Sequence, residues 1–391
     1  MRTWSHTLTE QTDTATGQFG NNVGDGWFFR DGLYRVTVDR SADKLGVLYE
    51  CFKIENEVAT LVDTATVPVS TSQAEWNMHT TARTAEDAMV NTITRYAGKV
   101  GYVGVQVAED GQLTTVGYTE VGVIAGVASN RFATVEVSQA NGVVAFHAAV
   151  NSSSTSQARW WVRATDGPTL AATGTDVTLP LGERPKPLWP TTNGYVLCQE
   201  TIPYQSGIGF LTIRSATTGA RIAQYQFSGV ETGVDQSLGD TQLMPDGRFV
   251  SAITRFEDDY ATGILTYLLM TVGADGALAA EQITYVDGFE DPDCYDLKPM
   301  GDRLVAMWTE TWDYIAHLSI IEPDTGIREY EIPLPTGLDP TAPTNIEVVG
   351  DDHVWMEAND YPVITDWLYA LTYSEELLTG EPTGARRRFW Q

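Results

Sequence analysis

Short apolar runs separated by turn residues succeed one another along the whole chain. The first strong run of each unit is LYRVTV from 33, AMVNTI from 88, VVAFHAAV from 143, YVLCQETI from 195, RFVSAI from 248, RLVAMW from 303 and HVWMEA from 353. Successive starts lie 55, 55, 52, 53, 55 and 50 residues apart. A second run follows each: KLGVLYECF, VGYVGVQVA, ARWWVRA, IGFLTIRSA, GILTYLLMTV, YIAHLSII and WLYALTY. Usually a turn comes next, AEDG at 108–111, ATDG at 164–167, ATTG at 216–219, GADG at 273–276 or PDTG at 323–326, and then a more polar strand such as QLTTVGYTEV or IREYEIPLP. Gly111, Gly167, Gly219, Gly276 and Gly326 give these turns the positive φ that a tight antiparallel reversal needs. Ahead of each first run stands a weaker strand with its own turn, as in QLMPDG (242–247) and DLKPMGD (296–302). Each unit therefore offers four antiparallel strands.

A four-stranded sheet of this size cannot bury both faces alone, so it must stack on its neighbours. GILTYLLMTV and VVAFHAAV are almost continuously apolar, as expected of strands covered on both faces. The expected fold is all-β: a seven-bladed β-propeller of four-stranded antiparallel blades, one domain over 1–391. The blades fall near 20–70, 71–122, 123–181, 182–232, 233–287, 288–336 and 337–391. Closure requires the last blade to be held to the first. TWSHTLTEQT (3–12) alternates like an outer strand and is predicted to complete blade seven beside WLYALTY (367–373); ARRRFWQ (385–391) competes for that place. In this pattern the chain resembles the seven-bladed propeller superfamily over essentially its full length. LTIRSATTGARIAQY resembles the repeats of quinoprotein and outer-membrane-assembly propellers, but lacks the tryptophan that those carry after the turn. The Gly-His and Trp-Asp signature, kelch double glycines and the sialidase Asp-box are also missing.

Composition narrows the partners. The formal charge is −28, from 24 basic and 52 acidic residues, and such a surface repels nucleic-acid phosphates. Only Lys44, Lys53, Lys99, Lys186 and Lys298 are lysines. Scarce lysine beside abundant acid matches a halophile, or the codon bias of a GC-rich genome. Cys51, Cys198 and Cys294 are scattered and form neither a disulfide framework nor a zinc motif, so buried thiols are expected. The N-terminal segment lacks the pattern of a secretory signal, and no apolar run reaches the ~18 residues of a membrane span.

Candidate chemistry is sparse. GFEDPDCYD (288–296) gathers Glu290, Asp291, Asp293 and Asp296; Asp291, Asp293 and Asp296 are candidate ligands for Ca²⁺, with a solvated acidic loop as the alternative. FEDDY (256–260) reads as a strand-to-strand loop. In WTETW (308–312) strand alternation points Trp308, Glu310 and Trp312 the same way, two aromatic platforms around a carboxylate, a pattern suited to a sugar. Trp355, Tyr361 and Trp367 extend that surface; blade packing is the competing use of the rings. Arg386, Arg387 and Arg388 form a basic cluster that could dock an acidic partner. The five histidines show no metal-ligand spacing, and serine-elbow, phosphate-loop and dinucleotide fingerprints are missing.

A repeat-built, acidic chain without an export signal or catalytic motif resembles the propellers of tail, fibre and capsid-appended proteins of tailed viruses, infecting a haloarchaeon or a GC-rich bacterium. That resemblance implies a non-enzymatic structural and recognition protein of the virion, assembled in the host cytoplasm. Its partners would be other virion proteins or a host cell-surface glycan or glycoprotein, without nucleic acid or membrane insertion. Two alternatives stay open: a glycan hydrolase or lyase using acids such as Glu290, Asp291 or Glu310, and a cellular assembly hub.

Overall fold

The computed structural model describes residues 2–11, 27–30, 32–55, 58–150, 158–180, 183–201, 209–227, 237–255, 263–289, 292–310, 315–341, 343–350, 352–360 and 363–375. The chain opens with β1 (Arg2–Gln11). Blade 1 holds β2 (Trp27–Phe29), β3 (Tyr34–Arg40), β4 (Gly46–Glu55) and β5 (Val58–Pro68). Blade 2 holds β6 (Trp76–Ala85), β7 (Ala88–Arg95), β8 (Lys99–Val107) and β9 (Leu113–Val123). Blade 3 holds β10 (Thr134–Ala140), β11 (Val143–Ala149), β12 (Ala158–Asp166) and β13 (Thr169–Leu179). Blade 4 holds β14 (Pro185–Pro190), β15 (Tyr195–Thr201), β16 (Gly209–Ser215) and β17 (Arg221–Gln226). Blade 5 holds β18 (Ser237–Leu243), β19 (Phe249–Arg255), β20 (Gly263–Val272) and β21 (Leu278–Phe289). Blade 6 holds β22 (Pro292–Met300), β23 (Arg303–Glu310), β24 (Ala316–Ile321) and β25 (Arg328–Ile332). Blade 7 holds β26 (Pro343–Val349), β27 (His353–Asp360) and β28 (Val363–Glu375), completed by β1.

Each sheet has four antiparallel strands, and together they make the seven-bladed, all-β propeller expected from the repeat. From blade 2 to blade 7 the first strand of each blade touches the first strand of the next, so these strands surround the axis. The second and third strands carry the core: β7 and β11 are buried along nearly their whole length, whereas the fourth strand β9 is largely exposed. Burial on both faces explains the continuous apolar character of the middle strands. Among the described residues no helix is long and apolar enough to cross a membrane.

The N-terminal strand closes the ring. It pairs with β28 from Arg2↔Glu375 to Gln11↔Asp366, as the outermost strand of blade 7. Its side chains also reach blade 6. The Arg2 guanidinium donates to both oxygens of Asp302 at 2.8 and 2.9 Å, and Trp4 Nε1 donates to Glu329 at 3.1 Å. Arg303 grips the same Glu329 through two nitrogens, at 2.9 and 3.0 Å. Blade 7 meets blade 1 through Arg35, which lies 4.7 Å from the Trp355 ring centroid and 3.3 Å from Glu357, with Phe28 edge-on to the same indole. Residues 385–391 lie outside the described residues.

The recurring Gly turns do more than reverse the chain. In the turn before β25, Gly326 has φ +72 and donates its N–H to Glu322 O, while Tyr267 of blade 5 donates its hydroxyl to Pro323 O at 2.5 Å. A Cβ on Gly326 would stand 2.3 Å from Thr284 O, so only glycine lets the turn rest on the preceding blade. The same docking recurs around the ring. Tyr34 donates to Glu109 O of blade 2 at 2.8 Å, and Trp160 Nε1 donates to Ala216 O of blade 4 at 3.3 Å. Tyr102 accepts from the Leu170 N–H of blade 3 at 2.9 Å. One turn thus appears in blade after blade because it is also a blade-to-blade contact.

Candidate functional site

Antiparallel order sorts the connections by end. Those after the first and third strands of a blade, such as 141–142, 191–194, 244–248 and 322–327, lie at one end of the ring and are tight. Those after the second and fourth strands lie at the other and include, among the described residues, the long connection 124–133. Phe289 ends the fourth strand of blade 5 and Pro292 begins the first strand of blade 6, Glu310 ends the second strand of blade 6, and Asp360 ends the second strand of blade 7. These strand ends therefore lie at the same end of adjacent blades. Within blade 6 two of them are neighbours, for Pro292 pairs with Glu310 and Asp293 with Thr309.

The side chains proposed from the sequence fall into three groups. Asp291, Trp312, Tyr361 and Arg386, Arg387 and Arg388 lie outside the described residues, as does 256–260. Asp293 and Glu310 are placed by their strand register alone. Trp308, Trp355 and Asp296 are fully described. Trp308 is buried and stacks on His317 at a centroid distance of 4.1 Å and 10° between planes. Trp355 is buried beneath Arg35 and Phe28. Both indoles are taken up in packing, and neither presents a platform to solvent. Asp296 forms an ion pair with Lys298 at 3.0 Å and accepts from the Leu297 N–H. Among the described residues no group of three His, Cys, Asp or Glu side chains could hold a metal ion.

The seam between blades 3 and 4 holds a charged cluster that no motif announces. Arg214 is fully buried; its Nε donates to Glu200 at 2.6 Å, and its Nη1 reaches Gly219 O at 2.6 Å and Glu183 at 2.7 Å. Thr212 donates to the same Glu200 oxygen at 2.7 Å. A charge buried this deeply is tolerable only when paired and hydrogen-bonded, as this one is. Across the seam His147 is pushed down to about 3, by burial first and then by the Arg184 and Arg214 charges, so its ring is neutral at neutral pH. Glu136 is raised by burial, opposed by Lys186. Cys51 and Cys198 are buried free thiols, each raised chiefly by burial. The only sequence cue to this cluster is a charge inside an apolar strand, Glu200 in YVLCQETI and Arg214 in LTIRSA.

No protein-family model matches the chain, and no curated protein matches it in sequence. Solved structures do match it in shape. An ulvan lyase of a new polysaccharide-lyase family, bound to a -[GlcA(1-4)Rha3S]- saccharide, has a TM-score of 0.53 at 9% identity, over 87% of this chain and 90% of its own. Hydrazine synthase from Kuenenia stuttgartiensis has a TM-score of 0.50 at 11% identity, over 91% of this chain and 98% of its own. A protein from Lactobacillus plantarum has a TM-score of 0.48 at 16% identity, over 78% and 82%. At such identities the likeness is one of fold: the chain is a propeller scaffold, an architecture on which many unrelated functions are built.

Proposed function

We propose that this propeller is a non-catalytic recognition module whose long-connection end, at blades 5 to 7, engages a cell-surface glycan or glycoprotein. The observation that supports it is that the strands ending at Phe289, Glu310 and Asp360 all end on one side of neighbouring blades, with Pro292 paired to Glu310 in blade 6. In this reading Trp312 and Tyr361 supply the rings on which a sugar stacks, and Glu310 binds hydroxyls. Asp291 and Asp293 supply oxygen ligands for a bridging Ca²⁺. The setting that fits is a virion, where such a module would attach to the host or seat on another virion protein, with Arg386, Arg387 and Arg388 docking an acidic neighbour. Glycan-array binding with and without Ca²⁺, repeated for Trp312→Ala and Tyr361→Ala, tests the reading. Binding that both variants weaken, with the glycan recovered intact, is expected. Shortened or unsaturated glycan products would replace recognition with catalysis, and binding indifferent to both variants would remove this end of the ring from consideration.

A further inference from the structure

Two of the tight turns between first and second strands carry the same dipeptide, Asn141-Gly142 in blade 3 and Asn193-Gly194 in blade 4. A glycine that follows an asparagine is a chemical weak point. With no Cβ in the way, its backbone nitrogen can approach the side-chain amide carbon of the residue before it. The fold treats the two pairs differently. Asn141 stands at φ +52, and its Nδ2 donates to Pro190 O of the next blade at 2.7 Å, so its amide is engaged in the blade 3–blade 4 contact. Asn193 is exposed, and its side chain makes no hydrogen bond to a described residue. Gly194 has φ +76 with nothing within 4 Å of its Cβ position, and its N–H has no partner among the described residues. Nucleophile and electrophile are thus both free at 193–194, whereas the electrophile is held at 141–142. The Asp-Gly turns offer the same backbone with a poorer leaving group. Asp110, Asp246 and Asp275 are also held, each accepting from the N–H two residues on, at 3.2, 3.0 and 3.0 Å.

We propose that Asn193 is a site of spontaneous covalent modification, a deamidation through a succinimide that the fold suppresses at Asn141. The Gly194 nitrogen gives its proton to solvent base and attacks Asn193 Cγ. The new N–C bond forms, the Cγ–Nδ2 bond breaks, and Nδ2 takes a proton from water and leaves as ammonia. Water then opens the ring at either carbonyl, giving aspartate or isoaspartate. Both products add a negative charge, and isoaspartate also adds a methylene to the backbone. That methylene enters a turn closed by the Thr191 N–H on Tyr195 O at 2.8 Å. The Tyr195 ring in turn supports the Gly276 turn of blade 5, where an added Cβ would stand 3.2 Å from it. The modification therefore reaches the blade 4–blade 5 seam. It lies at the tight-turn end of the ring, opposite the recognition end proposed above, and does not depend on that reading.

The test incubates the full chain in mildly alkaline buffer, folded and, in parallel, unfolded in guanidinium chloride. Peptide mapping by mass spectrometry follows each site through a gain of about one dalton. In the unfolded chain the two rates give the intrinsic ratio of the two sequences. In the folded chain Asn141 should fall about five- to tenfold further behind Asn193, the factor for breaking one hydrogen bond before reaction. Asn193→Gln should remove the gain from its own peptide and leave the Asn141 peptide as in the parent. The isoaspartyl form, separated by chromatography, should exchange its amides faster at Tyr195 and across 273–277. A folded ratio equal to the unfolded one, or an Asn193 that reacts only when unfolded, overturns the proposal; unchanged exchange overturns its reach to the seam.

Discussion

Replacing Gly326 by alanine separates the two duties assigned to the recurrent turn. At φ +72 any L-residue is strained, at a cost of about 1–2 kcal/mol. The added Cβ would also meet Thr284 O at 2.3 Å, so the turn must lift from blade 5 and loosen the 2.5 Å bond from Tyr267 to Pro323 O, worth about 1 kcal/mol. The expected total is about 2–3 kcal/mol. Gly247 provides the control: it has φ +87 in a similar turn, but nothing lies within 4 Å of its Cβ position, so Gly247→Ala should cost the strain alone. With an unfolding entropy near 2.1 cal/mol/K per residue, 391 residues give about 0.8 kcal/mol/K, so 1 kcal/mol moves Tm by about 1.2 °C. Calorimetric melts should therefore fall by about 1–2 °C for Gly247→Ala and about 2–4 °C for Gly326→Ala. Tyr267→Phe should be destabilising in the parent and nearly silent in Gly326→Ala, because the bond it removes is already lost. Equal shifts for the two glycines, or a Tyr267 effect that adds fully, would show that the turns reverse the chain without holding blades together.

Three further outcomes follow from local geometry and charge. Ala97 sits at φ +63 beside Gly98, so Ala97→Gly should raise stability by about 0.5–1 kcal/mol in urea denaturation, and a loss would refute the strain assignment. His79 and His147 are pushed down to about 4 and about 3, each by burial first, below the ~6.5 of an unfolded chain. The unfolded state takes up these protons first on acidification, so stability is whole above pH ~6.5 and is lost as pH falls from there towards the folded values. His147→Phe should flatten that decline in urea midpoints measured from neutral pH to pH 5, and a slope identical to the parent would contradict the assignment. At the closure, the Arg2 hydrogen bonds hold the Asp302 carboxyl below its usual range, so their stabilisation is present above the unfolded carboxylate value and lost as pH falls through the folded one. Asp302 is well exposed, which limits the pair to less than about 1 kcal/mol. Arg2→Ala should therefore lower Tm only slightly but speed amide exchange in β1 and β28, and unchanged exchange there would show that closure does not depend on Arg2.

The repeat is legible in the sequence because its two determinants are local: apolar runs of strand length, and glycines placed where the chain must take positive φ. Side-chain exposure is legible only where a strand has one wet face. Alternation groups Trp308 with Glu310 and Trp312, yet it cannot tell which side meets water when a second strand such as β23 is covered on both. Trp308 accordingly lies in the core, stacked on His317. Contacts that depend on closure are hidden for another reason: Arg2–Asp302 and Arg35–Glu357 join residues at opposite ends of the chain, and no local pattern relates them. The shared end of the strands that carry the candidate segments, by contrast, follows from parity. Successive antiparallel strands run in opposite directions, so whatever follows the second or fourth strand of any unit must emerge at one common end. The strand ends at Phe289, Glu310 and Asp360 all meet that condition, and they would share an end even if every turn in the ring were changed in length.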